Sequence, residues 1–577
     1  MSMNYRLTLA HINDTHSHFD ASLVRLKVQL GQRQFSLASH SGGYPRIAAQ
    51  VQRLRAEAEL NNQEMLFLHG GDSFHGTLFY SHFKGQANAR VLDYLRPDAM
   101  VIGNHDIDDG NATLANFIAK VSFPVMAANM DLAREDLHKQ PRLTPLANLL
   151  RFDNAAGIGQ PLIKPFYDKQ LAIIGITLDQ MKRVARPDPD TEFLPAFDTV
   201  ANTIKQLQQQ GIRHIIVLSH LGYDMDKCMA DAVDGISLIV GGHTHTLMGD
   251  FAEFGLPCVP YGEFINGVPV LQAGKHAEAL GIADIAFDAD GKVTQLNGSS
   301  CLMLDRHFML SGDTPATEQD YRDATELLHQ HSGILWDEQD EQLKELIDTE
   351  FHPALRSMEQ QVIAMVPRTL AHTRLPSQRL PHGSEIAPLV SQSMYMAARE
   401  QLPNLDFALH NAGGVRQSLE QGEVTFADIM GRLLPFELPL VCYEIQGVHL
   451  KQVLESAINE ATNNSVIGTG AGSFPYTHRL RYFYDGTQAL GHRLVKLELL
   501  RDNGDWCEVI EQQSYIGVST SYTTSGKEGY DALLQAQWQR SLTDITLPGA
   551  FIRMLSHDDI PLEPAIPMVN YISHRNS

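Results

Sequence analysis

Hydrophobic residues in the first half of the chain fall into short uninterrupted runs separated by longer segments of helical period. The runs Arg6–Ile12, Met65–Leu68, Ala99–Ile102, Val125–Ala128, Leu171–Ile176, His214–Leu218 and Ile236–Val240 are rich in β-branched residues. They lack a 3.6-residue repeat, so they predict strands buried on both faces. Between them, Arg46–Leu60 and Thr199–Gln210 predict helices. The second carries Val200, Ile204 and Leu207 on one face, with Asp198 as a candidate cap and Gly211 as a stop. Alternation of strand and helix predicts a layered α/β domain.

The pattern changes near residue 313. Segments such as Glu338–Thr349 are charged, free of glycine and apolar at helical spacing, which predicts a helical linker over residues 313–364. A second mixed α/β domain follows over 365–577, with strands around Phe407–Leu409, Leu440–Ile445, Leu494–Leu500 and Tyr515–Val518. The first domain then covers residues 1–312.

Length agrees with this division, since 577 residues exceed one hydrophobic core. The formal net charge of −23 argues against partners held by phosphate-backbone neutralisation, so nucleic acid polymers and anionic membrane surfaces are excluded. It leaves room for a small anion drawn to a local cationic or metal site. The five cysteines are scattered and form no Cys-x-x-Cys pair, so neither a disulfide framework nor a zinc ribbon is indicated. The start, Met1-Ser-Met-Asn-Tyr-Arg, lacks a basic stretch followed by an apolar one, and no run reaches the roughly 20 apolar residues of a membrane span. A cytoplasmic protein is the expectation. A chain whose signal segment had been exchanged for a new start Met would read the same, and would be periplasmic or secreted.

Histidine changes the picture. Of 26 histidines, several stand beside Asp, Asn and Gly at the ends of predicted strands. The clusters are Asp14-Thr15-His16, Gly70-Gly71-Asp72, Gly103-Asn104-His105-Asp106, Ser219-His220 and Gly241-Gly242-His243-Thr244-His245. In layered α/β domains the carboxyl ends of strands share a rim where loops converge on a ligand. Asp14 and His16, like His243 and His245, are two apart, the spacing that puts both side chains on one side of an extended chain. Together Asp14, His16, Asp72, Asn104, His220, His243 and His245 exceed the needs of one ion, so two ions sharing a carboxylate is the simpler reading. Nitrogen and oxygen donors without thiolate suit zinc, manganese, iron or magnesium-like ions without choosing among them. Such a pair binds a phosphoryl oxygen and activates water for in-line attack.

These motifs resemble those of calcineurin-like metallophosphoesterases, and specifically the 5′-nucleotidase branch, which includes UDP-sugar hydrolases and 2′,3′-cyclic-nucleotide phosphodiesterases. The resemblance rests on Leu-Thr-Leu-Ala-His-Ile-Asn-Asp14-Thr-His16, Gly-Gly-Asp72, Gly-Asn104-His105-Asp-Ile-Asp108, Ser-His220 and Gly-Gly-His243-Thr-His245. It implies one ion held by Asp14, His16, Asp72 and His245, and another by Asp72, Asn104, His220 and His243, with Asp72 bridging. The family's catalytic dyad falls on His105 and Asp108, whose i, i+3 spacing lies on one side of a helical turn. His105 would donate to a phosphoryl oxygen in the transition state, while Asp108 fixes its tautomer. Where family members often have Glu-Phe, this chain has Asp106-Ile107.

In residues 365–577 three segments offer a nucleotide pocket. His410-Asn411-Ala-Gly-Gly414-Val-Arg416 follows an apolar strand, and its Arg can fork onto a phosphate. Leu434-Pro435-Phe436 and Thr520-Ser521-Tyr522 present aromatics that can stack on a base. Gly526-Lys527-Glu528-Gly529-Tyr530 adds a carboxylate for ribose hydroxyls. The resemblance extends here: Asn411, Gly414 and Arg416 fall on the family's Asn-x-Gly-Gly-x-Arg pocket, Phe436 and Tyr522 on its stacking pair, and Glu528 on its ribose acid. It also implies a domain rotation that delivers substrate to the metals. There are departures. The usual Gly-Gly-Asp-Gly-Tyr becomes Gly526-Lys-Glu528-Gly-Tyr530, and Pro-Phe-Gly becomes Pro435-Phe436-Glu437. The phosphate-Arg segment has no clean match, leaving Arg374, Arg379 or His382 as substitutes.

The expectation is a two-domain hydrolase that uses two divalent ions to cleave nucleoside 5′-monophosphates, a small-molecule substrate, without a covalent phospho-enzyme. Cyclic nucleotides or UDP-sugars are the alternative substrates. A non-catalytic nucleotide-binding module is the remote rival, opposed by the complete donor set and dyad.

Overall fold

The computed structural model describes residues 5–312, 314–336, 338–557, 562 and 567–575. The chain forms two compact units, Met1–Pro353 and Ala354–Ser577.

In the first unit the elements that carry the argument are β1 (Tyr5–Ile12), α1 (Tyr44–Leu60), β2 (Glu64–His69), β3 (Ala99–Val101), β4 (Val125–Ala127), β5 (Lys169–Ile176), α2 (Ala196–Gln209), β6 (His214–Ser219), α3 (Tyr223–Ala232), β7 (Leu238–Val240), β8 (Val268–Leu271), β9 (Ala279–Phe287) and β10 (Val293–Leu304). They form two packed sheets. One runs β10-β9-β1-β2-β3-β4 through its centre, with β1 to β4 parallel and β9 antiparallel to β1. The other runs β5-β6-β7-β8, all parallel.

The continuous apolar runs are explained by burial on both faces. Ile216 and Leu218 of β6 point into a core shared with Leu7, Leu9, Leu66 and Val101 of the other sheet. Their neighbours Ile215 and Val217 point the opposite way, into a core that includes Val200, Ile204 and Leu207 of α2. Successive side chains of a strand face opposite sides, so a strand covered twice needs apolar residues throughout. The α2 helix starts two residues before Asp198, so that acid sits in the first turn and makes no side-chain cap bond. Gly211 adopts a left-handed φ of 83° just beyond the helix end.

Registers align the strand ends. Ile12 pairs with His69, and His69 with Met100. Ile176 pairs with Ser219, and Leu218 with Val240. The five donor clusters therefore all leave their sheets at the carboxyl ends of strands.

The segment predicted as a helical linker contains helix Glu318–Gln330, α4 (Glu341–Glu350) and a short strand, Ile334–Trp336, that extends the first sheet by pairing with β10. Asp340 caps α4 by accepting the Leu343 backbone N–H at 2.8 Å.

The second unit is built on α5 (Ile386–Gln401), β11 (Phe407–Asn411), β12 (Pro439–Gln446), α6 (Gly447–Thr462) and β13 (Ser514–Thr520). In its main sheet β11 is parallel to β13, and β12 is antiparallel to β13. Asn411 and Thr520 thus end neighbouring strands at one rim, and Pro439 begins β12 at that rim, since Leu440 pairs with Thr520. The three segments predicted to shape a pocket leave the sheet from this single edge.

Candidate metal centre and substrate pocket

Two groups of donors come together in the first unit. The ligand atoms of Asp14, His16 and His245 lie within 4.8 Å of one another, as do those of Asp72, His220 and His243. Convergence is achieved by left-handed turns more than by strand alternation. Asp14 (φ 51°), His16 (48°), Asp72 (56°), His243 (74°) and His245 (58°) all adopt positive φ. Such backbone costs of order 1–3 kcal/mol per residue and collects at functional sites.

Each donor is aimed by a neighbour. His220 Nδ1 donates to the Gly70 carbonyl at 2.6 Å, which turns Nε2 toward Asp72 Oδ2, 3.3 Å away. His16 Nδ1 donates to the Phe74 carbonyl at 3.2 Å, leaving Nε2 3.1 Å from His245 Nε2. The Asp14 carboxylate accepts the His243 backbone N–H at 2.9 Å and Asn13 Nδ2 at 2.7 Å. Bonds of this kind fix tautomer and orientation in metal sites.

The donor set fits divalent cations. Burial and the nearby His245 hold His16 well below the ordinary imidazole range, and burial with His220 lowers His243 to about 4. Both rings are therefore neutral and have lone pairs to give. Burial opposes charge on His220, but Asp72 outweighs it and pushes the ring up to about 10. Asp72 is held well below the carboxylate range, because His220 and His105 overcome its burial. A cation competes with the His220 proton, so binding releases it. Asn104 Oδ1 is buried with no hydrogen-bond partner, and the buried His220 Nε2 has only its 3.3 Å contact with Asp72. Buried polar atoms are normally satisfied, and a cation would satisfy Asn104 Oδ1.

His105 and Asp108 form the predicted pair, with Nδ1 donating to Asp108 Oδ2 at 2.6 Å across a 3₁₀ turn, His105–Ile107. The His105 backbone N–H donates to Asp72 Oδ1 at 2.8 Å, so the dyad is tied to a carboxylate of the second donor group.

Asp106 was not among the sequence candidates, yet it organises the centre. Its carboxylate accepts the backbone N–H groups of Asp72, Ser73, Phe74 and Gly103 at 2.8–3.1 Å, joining the two loops that follow β2 and β3. The only sequence sign was its place in Gly-Asn-His-Asp.

In the second unit Asn411 Nδ2 donates to Glu528 Oε2 at 3.3 Å. The Arg416 guanidinium lies 5.5 Å from the Phe436 ring centroid and donates to the Gly413 carbonyl at 3.4 Å. Gly414 packs on the His410 ring, where an added Cβ would stand 2.3 Å away. Tyr522 is half-buried in the first turn after β13, at the same rim. Burial pushes the Glu528 carboxyl up to about 7, against the pull of Arg374 and Arg416. Of the three candidate substitutes for the phosphate arginine, Arg374 is the one whose charge acts on Glu528, while His382 donates to the Val569 carbonyl at 2.9 Å.

Comparison with known proteins agrees with this geometry. Residues 7–247 match the calcineurin-like phosphoesterase model, and residues 364–535 match the 5′-nucleotidase C-terminal domain. A probable 5′-nucleotidase of Treponema pallidum is 30% identical, over 95% of this chain and 91% of its own length. The NAD 5′-nucleotidase of Haemophilus influenzae is 27% identical over 91% of this chain and 85% of its own. The crystal structure of a 5′-nucleotidase precursor from Thermus thermophilus superposes with a TM-score of 0.77 at 27% identity, covering 98% of this chain and 99% of that one. A metal-dependent hydrolase of phosphoester bonds that uses two divalent ions is thereby established, and the chain belongs to the 5′-nucleotidase family.

Proposed function

We propose that the protein hydrolyses nucleoside 5′-monophosphates to nucleoside and phosphate. The observation that carries the reading is the meeting of two donor groups, each within 4.8 Å, beside a His–Asp pair at 2.6 Å. Asp14, His16, Asp72 and His245 would hold one ion, and Asp72, Asn104, His220 and His243 the other. When bound, the ions supply Lewis acidity for water and for the phosphoryl oxygens.

The chain's own groups do the rest. Asp108 accepts the Nδ1 proton of His105, which leaves Nε2 to hold a second proton and donate it to a phosphoryl oxygen as charge builds there. In the second unit Asn411 and Glu528 would take the ribose hydroxyls, Phe436 and Tyr522 the base, and Arg416 with Arg374 the anionic end of the substrate. The Arg374 assignment is supported by its electrostatic reach to Glu528.

A second reading, hydrolysis of a pyrophosphate-linked nucleotide, is favoured by the Haemophilus relative whose name gives NAD as substrate. Purified protein loaded with manganese, zinc or magnesium should be assayed on AMP, NAD, 2′,3′-cyclic AMP, a UDP-sugar and a non-nucleotide phosphoester. AMP as the best substrate supports the proposal. Intact AMP with cleaved NAD, cyclic or sugar substrate overturns it.

A further inference from the structure

Behind the metal-facing histidines lies a polar network that the hydrolytic reading does not use. Asp226, on α3, is fully buried. Its Oδ1 accepts the Ser219 hydroxyl at 2.5 Å, and Ser219 Oγ in turn accepts the Leu221 backbone N–H at 3.1 Å. The two residues flanking His220 are thus pinned to one hydroxyl. Asp226 Oδ2 lies where a side chain on Gly241 would be, 2.2 Å from an added Cβ, and the Gln272 side chain reaches the same spot as a hydrogen-bond partner of the Asp226 carboxyl. Gly241 opens the loop that carries His243 and His245.

Gln272, which directly follows β8 and is also fully buried, holds the other side of that loop. Its Nε2 donates to the Gly242 carbonyl at 2.7 Å, while Oε1 accepts the Thr246 backbone N–H and the Thr244 hydroxyl, each at 3.1 Å. His243 and His245 are bracketed by these three anchors. The Thr244 hydroxyl also accepts the Tyr223 N–H at 3.1 Å, which ties the loop back to the start of α3.

We propose that Asp226, Ser219 and Gln272 are positioning residues that jointly set the directions of His220, His243 and His245, and thereby tune the affinity and ligand field of both ions. A group whose only purpose was to fill space would be better served by an apolar side chain of similar volume. The inference rests on the two-ion reading above.

The test uses the full chain loaded with Co²⁺ alone and compares wild type with Asp226→Asn, Gln272→Ala, Ser219→Ala and a surface control, Asp224→Ala, whose side chain is 91% exposed on the same helix. Readouts are bound Co²⁺ per chain, its dissociation constant by chelator competition, the visible Co²⁺ spectrum, and kcat against KM. The expected result is a weakening of Co²⁺ binding by about 10- to 100-fold in the three network variants, with shifted bands and lower kcat. The control should match wild type. If Asp226→Asn does not fold, Ser219→Ala, which removes a single oxygen, carries the same test. Two ions bound with wild-type affinity and spectrum in folded variants would overturn the positioning role while sparing the two-ion reading. Fewer than two ions in wild type would overturn both.

Discussion

At the scale of single residues, groups that touch in the fold are proposed to have separate tasks. His105 and Asp72 touch through a 2.8 Å bond from the His105 backbone N–H, yet on the proposed reading one would move a proton and the other hold cations. His105→Ala should lower kcat by about 10²- to 10⁴-fold and leave metal content near wild type. Asp72→Ala should lose metal. Elemental analysis of the two purified variants beside their turnover checks the assignment, and loss of both ions in His105→Ala would contradict it. The sequence could reveal these residues because each stands in a short motif at a strand end. Asp226 and Gln272 were not legible in that way, and Asp106 was legible only through its place in Gly-Asn-His-Asp. Asp226 and Gln272 are 46 positions apart, and their importance lies in backbone groups they reach only after folding.

At the scale of elements, the central strands were readable because double burial makes them apolar without interruption. The hairpin Ser22–Leu30 and Arg33–Ser41 was not read, since its alternating exposure breaks the run into a weaker pattern. Exposure over its first half dilutes the signal of β10, whereas β9 is buried at seven of nine positions and only Asp284 interrupts it with an exposed residue. Strand β6 carries the burial argument most directly, as it delivers His220. Ile216 is wholly buried between the two sheets. Ile216→Ala should cost about 2–5 kcal/mol, read from chemical denaturation. A loss below about 1 kcal/mol would mean that the two sheets do not close on that side chain.

At the scale of the whole molecule, burial of histidine sets a pH dependence apart from catalysis. In the first unit, burial lowers His11 from 6.5 to about 3, with Nε2 bonded to Tyr261 Oη at 2.8 Å. In the second, burial lowers His410 to about 3 and His478 to about 4. These rings are neutral when folded but take up protons below 6.5 once unfolded. The stability they permit is therefore complete above that value and is lost as pH falls toward 3. Denaturation midpoints should decline across this window in both units, and His11→Gln, which cannot titrate, should flatten the slope of the first. An unchanged slope in that variant would show that His11 does not carry it.

The central claim is that donors scattered from Asp14 to His245 trap two cations, and locating the ions tests it most directly. Anomalous scattering from crystals grown with Mn²⁺ should give two strong peaks in each chain, one among Asp14, His16 and His245 and one among Asp72, His220 and His243, with Asp72 touching both. A single peak, or peaks away from these side chains, would contradict the account.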